Sequence, residues 1–268
     1  MLALVSLWLN PALGASAQGA ESPGDLSIDT PAGHHAFSLR DLKAKIPAVA
    51  VSEEDPVYGR LMRFDAFPLG KILELAGASS AEGDEVVFTA ADGYAPSVPL
   101  EKIRAHDAFL AFQENGLKTK WTKVRQGKKM LSPAPFYLIW GEGKKLPEEF
   151  PWPYQLVKVE LVSFKAKYAK IYPSDKAPDS KEMKGFTTFK NNCIRCHSIN
   201  LVGGVVGPEL NTPKNITEYW DKSTLRAFIK NPGSFRARDV MPAFPQLTDD
   251  DLDYLLKYFK YVKERKAE

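Results

Sequence analysis

The end of the chain carries its clearest pattern of apolar and polar positions. Leu252, Leu255, Leu256, Phe259 and Val262 recur at helical spacing and fall on one face. Thr248 and Asp251 form a capping-box start, and the acidic first turn suits the helix dipole, as do Lys257, Lys260, Lys263 and Lys266 in the later turns. The spacing therefore predicts a helix running toward Glu264. A second helical run covers Lys184–Lys190, and a short amphipathic one, Asp221–Lys230, is ended by Asn231-Pro232-Gly233.

Earlier in the chain the period changes. Leu156–Val162 alternates as a half-buried strand does, and Phe136–Trp140 reads as a further strand. Val86–Ala90 is rich in β-branched and aromatic residues and runs into an Asp92-Gly93 turn. Tyr94–Leu100 follows as an edge or return strand, because its prolines cannot serve a central ladder. Leu69–Gly77 is a short helix closed by glycine. The expectation is a multidomain chain: an α+β, mainly β domain over residues 26–170, then an all-α domain over 181–266. Residues 171–180, with their prolines, serines and charges, read as an exposed linker. There is no internal repeat.

A length of 268 residues accommodates two such domains. The net charge of +3 is small and evenly spread, which argues against nucleic acid as a partner. Lysine-rich stretches such as Lys118-Thr119-Lys120 with Lys123 and Arg125, or Lys263–Lys266, read as solvated faces. The apolar start, Met1–Leu9, ends in Ala15-Ser16-Ala17 and resembles a signal peptide over residues 1–17, cut near Ala17–Gln18, with a soft lead to about residue 25. It lacks a basic leading segment. The apolar run is shorter than a bilayer span, so stable membrane insertion is not expected.

The candidate chemistry lies in Cys193-Ile194-Arg195-Cys196-His197. Cys-x-x-Cys-His is the spacing that attaches a c-type haem: two thiols add to the vinyl groups and the imidazole lies under the iron. The chain has no other cysteine, which excludes a disulfide framework and a cysteine-rich zinc site. A thioredoxin-like motif would follow a strand and open a helix, whereas here a helical run precedes it. Val202–Leu210 is glycine-rich, and glycine lets backbone approach a flat cofactor. A turn at Pro208 can fix the histidine through its second ring nitrogen. Met241 is the only methionine after the motif, and no histidine follows. It is a candidate soft ligand that would raise the iron potential, the alternative being a side chain that fills an apolar gap.

Taken together, Gly185 and Phe189, the haem motif, Gly207-Pro208, Met241-Pro242 and the terminal helix with Tyr254 and Tyr258 resemble a class I monohaem cytochrome c. The resemblance implies a small all-α fold whose first and last helices cross, one covalent haem c with His197 and Met241 as axial ligands, and single-electron transfer. It also implies periplasmic redox proteins as donor and acceptor. Haem attachment of this kind is made outside the cytoplasmic membrane in bacteria, so an exported, periplasmic protein is expected.

The first domain resembles the molybdopterin-binding domain of sulfite-oxidase-type oxidoreductases. The matching residues are Phe67-Pro68-Leu69 with Ile72-Leu73, Val87–Tyr94, Val98-Pro99-Leu100, Ala108–Ala111 with Asn115-Gly116, and Tyr154–Val159. That family holds molybdenum through a cysteine thiolate, and this domain contains no cysteine. A hard side chain could not replace that soft anionic ligand, so the domain reads as a docking or positioning scaffold without molybdopterin, and the chain as an electron-transfer protein rather than an enzyme. The alternative is a fused molybdenum-dependent oxidoreductase that passes electrons to its own haem. A third reading is a binding module serving a neighbouring enzyme.

Other candidates in this domain are bland. His34 and His35 read as a solvent-exposed pair and His106 as a surface or capping residue. Glu53, Glu54 and Asp55 look like a loop charge cluster, and Trp121, Trp140 and Trp152 like packing residues. Arg60, Arg63 and Tyr94 could line a remnant anion pocket.

Overall fold

A computed structural model describes residues 25–78, 83–117, 121–126, 129–141, 146, 150–237 and 239–267. The signal-peptide reading and the Lys118–Lys120 stretch lie outside these residues. The first part of the chain contains β1 (Leu26–Thr30), β2 (Gly33–Phe37), α1 (Leu39–Lys45), β3 (Val49–Asp55), β4 (Arg60–Pro68), α2 (Leu69–Leu75) and β5 (Glu85–Ala90). It continues with β6 (Ser97–Pro99), α3 (Leu100–Ala105), β7 (Ala108–Glu114), β8 (Val124–Gln126), β9 (Lys129–Leu131), β10 (Phe136–Trp140), β11 (Tyr154–Val162) and α4 (Phe164–Tyr168). The second part holds α5 (Lys181–Asn192), β12 (Ser198–Ile199), β13 (Val202–Gly203), α6 (Ile216–Tyr219), α7 (Lys222–Lys230) and α8 (Asp249–Lys263).

Strand β11 organises the sheet half. Its early residues pair with β10, while Lys158–Glu160 pair in parallel with β1 and Lys158–Val162 antiparallel with β5. From β11 the sheet runs through β10, β7 and β4 to β3 in one direction, and through β1 to β2 in another. Among the described strands β6 pairs with β5 alone, the edge position that Pro99 requires. The alternation of β11 slips once: Leu156, Val159 and Leu161 are buried, because the register against β5 shifts between Leu156 and Lys158. Helix α2 ends as a Schellman motif, with Gly77 at φ +70° and the Ala78 amide donating to the Leu73 carbonyl.

Among the described residues three apolar clusters form, two in the sheet half and one in the helical half. Leu26, Ile28, Phe67, Phe88, Phe136, Trp140 and Val159 belong to the main core of the sheet half. In the helical half Phe186 and Phe189 of α5 pack on Tyr258 and Phe259 of α8. The second half is not purely helical. β12 and β13 form a small hairpin whose turn residues, Asn200 and Leu201, both take positive φ, as a two-residue hairpin turn demands. The connector also differs from an exposed linker: Ile171 is buried in the helical core, and its carbonyl accepts from the Tyr258 hydroxyl at 3.0 Å.

Three buried asparagines tie the hairpin turn and the loop after it to the end of α8. Asn200, Asn211 and Asn215 donate in turn to the Arg265, Val262 and Phe259 carbonyls at 2.7, 2.8 and 2.9 Å, and Asn211 and Asn215 also donate to the side-chain oxygen of the preceding asparagine in the series, each at 2.8 Å. Every member is satisfied, so each truncation leaves an expensive orphan. Asn211→Ala should cost roughly 1–3 kcal/mol for each buried partner left unsatisfied. Chemical denaturation checks this: the unfolding midpoint falls, and an unchanged midpoint would mean that the ladder carries no stability.

Candidate haem site

Helix α5 delivers the Cys-x-x-Cys-His motif. Its Ser180 cap accepts from the Met183 amide at 3.2 Å, and it ends at Cys193, whose amide donates to the Phe189 carbonyl at 2.8 Å. The next turn is tight: the Cys196 and His197 amides both donate to the Cys193 carbonyl, at 3.0 and 2.9 Å. Burial pushes the Cys193 thiol up to about 12, and raises Cys196 as well. Burial thus favours the protonated thiol, opposite to the lowered pKa of a redox-active thiolate pair.

The imidazole of His197 is set by two contacts. Its Nδ1 lies 2.8 Å from the Pro208 carbonyl, which accepts the ring proton and leaves Nε2 as the lone-pair nitrogen. Burial holds the ring below the usual histidine range, which keeps it neutral, as a metal ligand must be. The other contact is Gly207: a Cβ there would lie 2.3 Å from Cε1 of the ring, so only a glycine backbone can pass this close. The loop closes back on the motif through amide donations from Gly204 to Ile194 at 2.7 Å and from Gly207 to Cys196 at 2.8 Å.

Met241 lies in the loop between α7 and α8, its amide donating to Asp239 Oδ1 at 2.9 Å. It is half-buried against the same apolar core as Cys193, Val202, Trp220 and Phe244. Two thiols, a neutral imidazole with Nε2 available, a thioether and a glycine backbone pressed onto the ring form the donor set a c-type haem takes. These residues fit that group.

The sheet half meets this motif directly. The Ala95 amide donates to the Arg195 carbonyl at 2.8 Å, and the Val205 amide to the Gly93 carbonyl at 3.1 Å. The Tyr168 hydroxyl donates to Ser97 Oγ at 2.7 Å. Lys190 of α5 sits 2.6 Å from Glu85 of β5, both nearly buried; this is an ion pair outside hydrogen-bond geometry. Nothing local in the sequence signals these contacts, since even the nearest pair, Ser97 and Tyr168, is 71 positions apart.

The remaining candidates scatter. Arg60 and Arg63 lie on β4, separated by β7 and β10 from the β11 strand that carries β5, and Tyr94 turns instead toward Arg195. They do not form an anion pocket. Glu53, Glu54 and Asp55 belong to strand β3 and not to a loop, and Asp55 is fully buried, accepting from the Tyr137 hydroxyl and the Val57 and Tyr58 amides. Burial raises its carboxyl above the usual range. His34 pairs with Asp29 at 2.6 Å on the edge strand, and His106 caps α3 with its ring edge on Phe150. Trp140 is buried and donates to the Pro151 carbonyl; Trp121 and Trp152 pack against the sheet. Among the described residues no three His, Cys, Asp or Glu side chains are grouped to hold a metal ion, and no helix is long and apolar enough to cross a membrane.

Residues 180–259 match the family described as cytochrome c oxidase, cbb3-type, subunit III. The second half of the chain therefore holds a cytochrome c domain, which implies haem and electron transfer. Cytochrome c oxidase subunit 2 of Alkalihalophilus pseudofirmus is 30% identical over 79 residues, covering 28% of this chain and 23% of that protein. The chain thus corresponds to under a quarter of that relative. A solved structure, the sulfane dehydrogenase SoxCD from Paracoccus pantotrophus, aligns with a TM-score of 0.37 and 19% identity over 54% of this chain and 40% of that one.

Proposed function

We propose that the chain is a periplasmic single-electron carrier, with one haem c attached through Cys193 and Cys196 and ligated by His197 and Met241. The observation that carries this reading is the His197 ring, neutral, held by the Pro208 carbonyl and pressed on Gly207 within a Cys-x-x-Cys-His turn. When bound, the haem supplies an iron that alternates between the ferric and ferrous states.

The protein's part is to hold that chemistry in place. The two thiols tether, the Pro208 carbonyl fixes the ring and raises its basicity as a ligand, and the Met241 thioether supplies a soft donor that favours the ferrous state. With His197 and Met241 both holding the iron, the bound group would offer substrate no place to bind, and the site would move electrons between redox proteins. The sheet half, without a cysteine for molybdenum, acts as a docking or positioning scaffold.

Iron and molybdenum per chain, measured on the purified protein alongside an optical redox titration, test this. One iron, no molybdenum and a one-electron transition are expected. Stoichiometric molybdenum would replace this reading with that of a fused oxidoreductase.

A further inference from the structure

The contacts across the two halves converge on the attachment motif. Gly93 takes φ +87° and its amide donates to the Ala90 carbonyl, so the turn after β5 folds tightly. A Cβ at Gly93 would stand 2.3 Å from Cγ2 of Val205, which places that turn flush on the glycine-rich loop. Tyr94 is half-buried, its amide donates to Asp92 Oδ1 at 3.0 Å, and its hydroxyl accepts from the Arg195 guanidinium. Arg195 also donates to the Asn191 carbonyl, so its charge is held from both sides. Backbone bonds on either side, Ala95 to Arg195 and Val205 to Gly93, close the seam.

We infer that the Asp92–Ala95 turn is a wall of the haem site, and that Tyr94 and Arg195 are positioning residues which fix the attachment loop and hold a positive charge beside it. This rests on the haem reading above. The sheet half is then part of the electron-transfer unit and not an appended module. A fixed cation next to the site opposes the more positive ferric state and raises the potential, because charge acts more strongly in a partly desolvated seam than in water. Freeing the guanidinium to solvent weakens that influence.

The test uses the full-length haem-loaded protein with Arg195→Gln, Arg195→Lys, Tyr94→Phe and, as a control on the same seam, Ser97→Ala. Midpoint potential and amide hydrogen exchange are read on each. Arg195→Gln should lower the potential most and Tyr94→Phe less, whereas Arg195→Lys, which keeps the charge, and Ser97→Ala stay near the parent value. Tyr94→Phe should also speed exchange at the Ala95 and Val205 amides, whose bonds close the seam. Potentials unchanged in both Arg195→Gln and Tyr94→Phe would overturn the inference, even if thermal stability falls. Haem content is measured on the same samples: a parent protein without covalent haem contradicts the underlying haem reading, a result distinct from unshifted potentials in a loaded one.

Discussion

Met241→Ala protein should bind carbon monoxide in its reduced form, the parent protein should not, and the midpoint potential of the variant should fall. Both effects follow from removing one soft donor. A thioether stabilises the ferrous state relative to harder ligands, so its loss disfavours reduction. Alanine has no ligating atom, so the position it leaves is open to an external ligand. If Met241 merely fills a gap at the edge of the helical core, the substitution would only loosen packing, by roughly 1–3 kcal/mol for a half-buried side chain, with no gain of carbon monoxide binding. The carbon monoxide difference spectrum separates the two outcomes. A parent protein that already binds carbon monoxide would contradict ligation by Met241.

Gly185→Val should abolish the folded helical half. Helices α5 and α8 cross so closely at this point that a Cβ on residue 185 would lie 2.0 Å from the Tyr254 carbonyl oxygen and 2.6 Å from Cβ of Tyr258. The obstruction is mostly helix backbone, which cannot swing aside as a flexible side chain can. Separating the helices would withdraw Phe186 and Phe189 from Tyr258 and Phe259, the centre of that core. Overpacking commonly costs about 1–3 kcal/mol, and here the loss of core contacts adds to it. Gly70→Ala is the contrasting variant. Gly70 lies within α2, and a methyl group there would meet nothing within 4 Å, so alanine should stabilise by up to about 1 kcal/mol through helix propensity. Thermal unfolding with covalent haem content checks both, and a stable, haem-bearing Gly185→Val protein would refute the close crossing.

The helical half is largely legible in the sequence because its signals are local. The periodic face from Leu252 to Val262, the Thr248 cap and the five-residue motif each state their role within a few positions. Gly207 and Pro208 also fall in a loop that the sequence marks by composition. The sheet half is legible only where strands are strongly β-branched or alternate. Strands β3, β4 and β7 do not stand out as strands, since charged and polar positions that keep some exposure, such as Glu53, Arg63 and Gln113, interrupt their apolar residues. Long-range features leave no local trace. The asparagine ladder draws on three residues that look like ordinary loop polars, and the Tyr94–Arg195 contact joins a hairpin turn to a haem motif across the chain. The connector reads as exposed because Ile171 sits among prolines and charges that suggest solvent, while its side chain completes the helical core.

The proposed electron carrier depends on one haem attached covalently at Cys193 and Cys196. Peptide mapping by mass spectrometry of the exported protein, after acid–acetone extraction, tests it most directly. The expected result is a peptide containing Cys193 and Cys196 that retains one haem through two thioether bonds, with no free thiol on either cysteine. A peptide that carries both cysteines as free thiols, or joined as a disulfide, would contradict it.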